Sequence, residues 1–93
     1  MSYQIVWEDD SIGDRIGIVD FLFEHADEEV ALRMDAAIVK VVDGLAMFPY
    51  MGKEWKGKGR RIPVSKSKYS VYYQVDEIKS LIIIVRILHD RRK

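Results

Sequence analysis

The residues best suited to chemistry lie in the second half of the chain. His89 is the residue there whose ordinary pKa suits proton transfer near neutral pH. Arginine can hold a phosphate through two parallel hydrogen bonds, and an aromatic ring can stack on a base. Together these residue types would serve RNA cleavage by a 2′-hydroxyl, in which protons move and a charged phosphate is stabilised. The residues that could bind such a substrate are Arg60, Arg61, Arg86, Arg91, Lys58, Trp55 and Tyr72.

Several of these candidates also have a purely structural interpretation. His89 ends a predicted strand and could simply hydrogen-bond a neighbour. Arg86 would share a strand face with Ile84 and could form a structural ion pair, while Arg60 could cap the edge of the core. The lysines around Trp55 fit a solvated loop, whereas the tryptophan fits either an interface or packing over the end of the helices.

Composition limits the class of protein. The chain has 93 residues, which predicts a single domain over residues 1–93, and 48% of them are hydrophobic, enough for a packed core. It contains no cysteine, which excludes disulfides and thiolate metal sites. The first residues lack the features of a signal peptide, and no apolar run approaches the ~20 residues that span a bilayer. We therefore expect a cytoplasmic protein without membrane association.

The net charge of zero hides a split between the two halves of the chain. Residues 1–50 contain eleven acidic and three basic residues, a net charge of −8, whereas residues 51–93 contain four acidic and twelve basic residues, a net charge of +8. Either one half meets an anionic partner, or the two halves attract each other. The carboxylates have no spacing typical of a metal site, and no cofactor is expected.

The first half of the chain predicts a strand and two helices. Residues 3–7 alternate as a short strand does, and Asp9, Asp10 and Ser11 are candidate caps for the helix that follows. A second helix is predicted from Asp27, its cap, along an apolar stripe over residues 30–48 that ends at Pro49. We expect the helices to form an antiparallel hairpin with one shared apolar face. The stripe of the first helix consists of Ile12, Ile16, Val19 and Phe23.

The second half predicts three strands after a glycine-rich loop over residues 50–59. The first surrounds Pro63, which places it at an edge or a bulge because proline lacks an amide donor. The second covers residues 69–75, and the third, residues 81–88, is apolar on both faces as in a central strand. The order β-α-α-β-β-β predicts an α+β fold: an N-terminal strand, an α-helical hairpin and a three-stranded antiparallel meander.

Four short motifs follow these predicted elements in order. They are Leu45–Gly52, Gly59–Val64, Tyr69–Val75 and Val85–Arg92. They are similar to L-x-x-x-P-x-x-G, to G-x-R-x-L-x-V with an offset of one residue at its first position, to Y-x-I-x-Y-x-V and to V-x-x-L-H-x-x-R. Each motif mostly encodes core and turns, but their order and spacing resemble the RelE/ParE family of bacterial toxins over nearly the whole chain.

The resemblance implies the toxin of a type II toxin–antitoxin pair, neutralised by a cognate antitoxin that covers exposed apolar and basic surface. Members similar to RelE cleave messenger RNA, often in the ribosome, and members similar to ParE inhibit DNA gyrase. By their positions in the motifs, Arg61, Arg91 and His89 fall at or near catalytic positions of the nucleases. Pro63 and Ser70, however, stand where those nucleases have basic residues. We therefore favour gyrase as the target, with messenger-RNA cleavage as the alternative and an inactive relative as a third reading.

Overall fold

The computed structural model describes residues 2–91, so Arg92, the last residue of the fourth motif, lies outside the described residues. The elements are β1 (Gln4–Trp7), α1 (Asp9–His25), α2 (Glu28–Leu45), β2 (Lys53–Trp55), β3 (Gly59–Pro63), β4 (Tyr69–Asp76) and β5 (Leu81–His89). The sheet order is β1-β5-β4-β3-β2, with β1 parallel to β5 and the other neighbours antiparallel. This arrangement confirms the predicted α+β class with an N-terminal strand and a helix hairpin.

The apolar stripe of α1 faces away from the sheet. The prediction that both helices turn their stripes to one shared face is therefore wrong for this helix, which buries Ser11 and Ile18 instead. A helical period shows that a face exists, but it does not show which of two neighbours covers that face. The stripe residues Ile12, Ile16 and Phe23 are 43%, 57% and 46% exposed.

The two helices begin in different ways. α1 begins after Glu8, and Ser11 is not its cap, since the Ser11 hydroxyl is buried and donates to the Glu8 carbonyl at 2.6 Å. α2 begins as predicted, because the Asp27 carboxylate accepts a hydrogen bond from the Val30 amide at 2.9 Å. α2 ends at Leu45, earlier than its predicted stripe.

β2 lies inside the segment that was predicted as a loop, so the antiparallel part of the sheet has four strands and not three. Its three residues, Lys53–Trp55, are all exposed and show no alternation that indicates a strand. β2 pairs with β3 only as far as Arg61. At Pro63, β3 is therefore the edge of the sheet, as predicted, and the missing amide donor removes no bond to β2.

A β-bulge changes the face that the end of β5 presents. Tyr72 lies opposite Arg86, but the next residue of β4 lies opposite Ile84, so Val85 is the extra residue. The buried positions of β5 shift accordingly, from Ile84 before the bulge to Ile87 after it. The prediction that Arg86 shares a face with Ile84 is therefore wrong, and the Arg86 side chain lies on the sheet face away from the core.

The hydrophobic core lies between the hairpin and the sheet. Tyr73 is its largest fully buried side chain, and the Tyr73 hydroxyl donates to the Pro49 carbonyl and accepts from the Gly52 amide, both at 2.9 Å. These bonds fix the segment between α2 and β2 against the sheet. The buried core residues are Ile18, Ile38, Val42, Leu45, Ile62, Val64, Val71, Tyr73, Ile82, Ile84 and Ile87.

Candidate functional site

Several candidate residues lie on the sheet face opposite the helices, called here the open face. Arg61 of β3 lies opposite Tyr72 of β4, which lies opposite Arg86 of β5, so the three side chains form one row across the sheet. Lys53 of β2 pairs with Arg61 and extends the row. The open face thus brings cations beside an aromatic ring.

A cavity of about 420 Å³ adjoins this row. At its edge the rings of Trp55 and Tyr72 meet edge-to-face, with their centroids 5.4 Å apart and their planes at 66°. The Lys56 ammonium lies 5.1 Å from the centre of the Trp55 ring, and Val85 and Leu88 also line the cavity. Apolar and aromatic walls beside a cation suit either a stacked base or an inserted side chain of a partner protein.

Arg61 is paired with a carboxylate that sequence analysis did not single out. Arg61 Nη2 lies 3.2 Å from Asp90 Oδ1, and the Ser70 hydroxyl donates to the same oxygen at 2.6 Å. The hydrogen bond from Ser70, followed by that from Arg61, lowers the pKa of Asp90 below its usual value against the effect of burial. Asp90 is therefore ionised near neutral pH and neutralises Arg61. Arg61 Nε is buried without a hydrogen-bond partner among residues 2–91.

Arg86 is held by a carboxylate of α1. Its Nε and Nη2 lie 2.7 and 3.0 Å from the two carboxylate oxygens of Asp14, a bidentate pair. Asp14 Oδ2 also accepts from the Ile87 amide at 2.9 Å. The structural ion pair considered for Arg86 is thus present, and a substrate-binding role for this residue stays a prediction.

Arg60 connects β3 to the segment before β2. Its Nε donates to the Gly52 carbonyl at 2.9 Å, and its guanidinium carbon lies 5.1 Å from the centre of the Tyr50 ring. The Tyr50 hydroxyl in turn donates to Glu77, which raises the pKa of Tyr50 to about 12. These contacts match the capping role considered for Arg60.

The predicted catalytic residues are divided between the two faces of the sheet. His89 lies opposite Tyr69, which packs against the core, and their rings meet edge-to-face at 5.1 Å. The imidazole is therefore on the helix side, whereas Arg61 is on the open face. His89 Nδ1 accepts from the Arg91 amide at 3.1 Å. Arg91 and Lys58 are exposed in turns, one after β5 and one between β2 and β3.

Asp14 and Asp90 were missed because their partners are distant in sequence. Asp14 is 72 residues from Arg86, and Asp90 is 29 residues from Arg61. For Asp14 a physical signal was available, because an arginine within an apolar strand, as Arg86 is, favours a counter-ion elsewhere in the fold. No comparable signal pointed to Asp90, since β3 is not an apolar strand.

Residues 2–91 contain neither a cluster of metal-ligating side chains nor a helix suited to crossing a membrane. Across residues 2–91, no group of three or more histidine, aspartate or glutamate side chains is placed to hold a metal ion. Within the same residues, neither helix combines the length and apolar character needed to cross a membrane.

Comparisons with known proteins agree with the observed fold. The chain is similar to the chromosomal ParDE toxin–antitoxin system from P. aeruginosa, with a TM-score of 0.83 and 21% identity over 95% of this chain and 96% of that chain. It is also similar to the RelBE2 toxin–antitoxin complex from Mycobacterium tuberculosis, with a TM-score of 0.71 and 17% identity over 96% of this chain and 99% of that chain. The isolated E. coli RelE toxin gives a TM-score of 0.69 and 14% identity over 99% of this chain and 88% of that chain.

Sequence comparison identifies the family. The search of curated proteins gave no match. A family model described as the ParE toxin of the type II toxin–antitoxin system parDE matches residues 5–93. Because this match spans nearly the entire chain and the structure has the fold of ParE and RelE toxins, the chain belongs to the ParE toxin family of type II toxin–antitoxin systems.

Proposed function

We propose that this chain arrests bacterial growth from the cytoplasm by binding DNA gyrase, and that a cognate antitoxin neutralises it. The observation that carries the choice of target is that both arginines of the open-face row are paired with carboxylates of the chain itself. Arg61 is paired with Asp90 and Arg86 with Asp14. Arginine and aromatic residues are enriched at protein-binding surfaces, and arginines already paired with carboxylates attract a phosphate less strongly than free ones.

The position of the histidine supports the same choice. RNA cleavage needs a proton-transfer group within hydrogen-bond reach of the reacting atoms, next to the cations that hold the phosphate. His89 instead packs against Tyr69 on the helix side of the sheet, away from Arg61. A phosphate bound to Arg61 would also have to displace Asp90. The negatively charged Asp90 carboxylate would then remain beside the phosphate.

Messenger-RNA cleavage is the second candidate, and one observation favours it. Trp55 and Tyr72 present two rings beside the open cavity, and the Lys56 ammonium lies over one of them. A stacked base with a neighbouring phosphate would use this combination. In that function Arg61 would exchange Asp90 for a phosphate during binding.

The first experiment separates these functions in living cells. The chain is expressed from a tightly controlled promoter while growth, the DNA-damage response and messenger-RNA integrity are followed together. We expect growth arrest with an induced damage response and intact messages, and we expect arrest to persist in His89→Ala. Rapid loss of messages that disappears in His89→Ala or Arg61→Ala would assign the nuclease instead. No arrest in any bacterial host tested would indicate an inactive relative.

A second experiment uses purified proteins to test the open face directly. Inhibition of gyrase supercoiling should weaken in Trp55→Ala, because this ring lies beside the cavity. Phe48→Ala is the matched control, since Phe48 is also an exposed aromatic residue, 60% exposed, and does not line that cavity. Equal inhibition by both variants would contradict a role for the open face.

The antitoxin proposal has its own test. The ParDE and RelBE2 structures to which the chain is similar are toxin–antitoxin systems. We expect co-expression of the protein encoded beside this chain to restore growth, and the two proteins to purify together. Arrest that continues despite that protein would argue against it as the antitoxin.

A further inference from the structure

One carboxylate connects three strands at the end of the open face. Asp90 follows β5, and its Oδ1 accepts from Arg61 Nη2 of β3 at 3.2 Å and from the Ser70 hydroxyl of β4 at 2.6 Å. The Asp90 amide also donates to the Lys68 carbonyl at 2.6 Å. Side-chain and backbone contacts therefore fix the Asp90 carboxylate beside Arg61.

Ser70 orients this carboxylate. The Ser70 side chain is 0% exposed, and a buried hydroxyl lowers stability unless it is hydrogen-bonded. Its hydroxyl donates to Asp90, and Ser70 lies two residues before Tyr72, on the same face of β4. The open face therefore contains a buried donor that directs Asp90 toward the arginine of the neighbouring strand.

Without Asp90, the surroundings of Arg61 would suit a phosphate backbone. Arg61 lies in one row with Lys53 and Tyr72, and the Tyr72 ring meets that of Trp55 edge-to-face. Cations beside aromatic rings are the combination that binds single-stranded nucleic acid. The Arg61 side chain is 38% exposed, so it is accessible to a ligand.

The charge of this half of the chain favours encounters with nucleic acid. Residues 51–93 carry a net charge of +8, and a basic surface attracts nucleic acid without regard to its sequence. The acidic residues of this half other than Asp90 are Glu54 in β2, Asp76 at the end of β4 and Glu77 in the turn that follows. Neutralisation of Arg61 therefore rests on the Asp90 carboxylate.

We propose that Asp90 is a selectivity residue, whose carboxylate occupies Arg61 and so keeps the open face from binding the phosphodiester backbone of nucleic acid. A carboxylate and a phosphodiester each carry one negative charge and accept hydrogen bonds from a guanidinium, so they compete for Arg61. Ser70 acts through Asp90 and is a positioning residue. The proposal does not rest on gyrase as the target, because nucleic-acid binding is measured on the purified chain alone.

A salt bridge that only stabilises the fold makes a different prediction. Its loss would lower the free energy of unfolding and would create no new affinity. A gain of nucleic-acid binding when the carboxylate is neutralised therefore separates selectivity from stability.

The test measures binding of a fluorescein-labelled, single-stranded 2′-O-methyl RNA by fluorescence anisotropy, since the methyl group prevents cleavage of the probe by its own 2′-oxygen. Asp90→Asn removes the charge and keeps an oxygen that accepts from Ser70. We expect this variant to bind at least about tenfold more tightly than the unaltered chain at low salt. The slope of log affinity against log salt should steepen by about 0.7, the value for one phosphate of a single strand. DNA of the same sequence should show the same gain, because it has the same phosphodiester.

Three further variants assign the gain to this contact. Asp35→Asn is the matched control, because it makes the same chemical change in the Arg15–Asp35 pair of the hairpin, where the Asp35 side chain is 28% exposed compared with 33% for Asp90. It should leave affinity unchanged. Adding Arg61→Gln to Asp90→Asn should return affinity to that of the unaltered chain. Ser70→Ala should give a smaller gain than Asp90→Asn, since it removes only the orienting hydroxyl. Circular dichroism verifies that each variant is folded.

Four results would overturn the proposal. One is an Asp90→Asn variant that binds RNA no more tightly than the unaltered chain. An equal gain in Asp35→Asn would attribute the effect to net charge. A gain that persists in the variant that also carries Arg61→Gln would attribute it to another cation. A gain with RNA that is absent with DNA would show that the phosphodiester is not the group that binds.

Discussion

Two carboxylates with lowered pKa values make the stability of the molecule sensitive to acid. The hydrogen bond from Arg15 lowers the pKa of Asp35, and hydrogen bonds from Ser70 and then Arg61 lower that of Asp90. A carboxylate with a depressed folded pKa stabilises the fold above its unfolded pKa, about 4, and loses this contribution as pH falls through the folded value. We therefore expect the urea midpoint to fall on acidification below about pH 4.

The variants Asp35→Asn and Asp90→Asn test this expectation. Each should lower the midpoint near neutral pH and make its dependence on acid shallower. Asp27→Asn is a suitable control, because asparagine caps a helix about as well as aspartate and the substitution leaves the Arg15–Asp35 and Arg61–Asp90 contacts in place. An unchanged acid dependence in both test variants would contradict the linkage.

Gly52 occupies a position that admits no side chain. A Cβ atom there would lie 2.7 Å from the Tyr73 hydroxyl and 2.8 Å from the Arg61 carbonyl, and the second of these is backbone that cannot rotate away. Gly52→Ala should therefore destabilise the fold by about 1–3 kcal/mol, measured by urea denaturation. Gly13→Ala is the control: an added Cβ meets nothing within 4 Å inside α1, so it should stabilise by about 0.5–1 kcal/mol. Equal effects would contradict the steric account.

At the scale of single residues, the sequence identified the residues suited to binding better than it identified the side chains with which they pair. Arg61 and Arg86 lie in one row on the open face, on either side of Tyr72, and the sequence did not predict this row. Their counter-ions, Asp90 and Asp14, follow from tertiary packing that no local pattern encodes. The sequence also could not predict which face of the sheet carries His89, because the bulge at Val85 exchanges the two faces of β5.

At the scale of elements, α1 completes the free edge of β5. β1 pairs with β5 only as far as Ile84. Beyond that point the Asp14 carboxylate of α1 accepts a hydrogen bond from the Ile87 amide and forms an ion pair with Arg86. A single side chain thus replaces a missing strand partner. A partly buried amide without a hydrogen-bond acceptor and a partly buried guanidinium without a counter-ion both lower the stability of the fold.

Asp14→Ala removes both contacts at once and should lower the free energy of unfolding by about 2–4 kcal/mol. Hydrogen exchange should become faster at the Ile87 amide than at amides of β4, since local opening would begin at this edge. Asp10→Ala, an exposed change in the first turn of α1, is the control and should have a small effect. Unchanged exchange at Ile87 would show that the edge does not depend on Asp14.

The elements that sequence misjudged have identifiable physical causes. β2 is three exposed residues long, too short for a periodic signal. α1 carries its strongest apolar stripe on the outside, with Ile16 exposed and Ile18 buried. Periodicity established both helices, the Asp27 cap fixed the start of α2, and the two-sided apolar character of β5 placed it inside the sheet.

At the scale of the whole molecule, acidic and basic residues are arranged on opposite sides, and large apolar side chains remain exposed on both. The helices carry most of the acidic residues, and the strands and turns after residue 50 carry most of the basic ones. Large apolar side chains remain exposed on both sides, including Ile16 of the hairpin and Trp55 of β2. A small domain that leaves such surface uncovered buries less of its apolar area and gains stability from any partner that covers it.

This arrangement predicts that the thermal midpoint of the toxin depends on antitoxin concentration. A partner that binds only the folded chain stabilises it by about 2.7 kcal/mol at a free concentration of 100 times Kd. For a domain of this size, 1 kcal/mol shifts Tm by roughly 4–8 °C, so the midpoint should rise by roughly 10–20 °C. Calorimetry across a titration with the protein encoded beside the toxin measures the rise, with an unrelated acidic protein as control. A midpoint that stays constant over the titration would mean that this protein does not cover the exposed surface, and would remove the basis for neutralisation by direct binding.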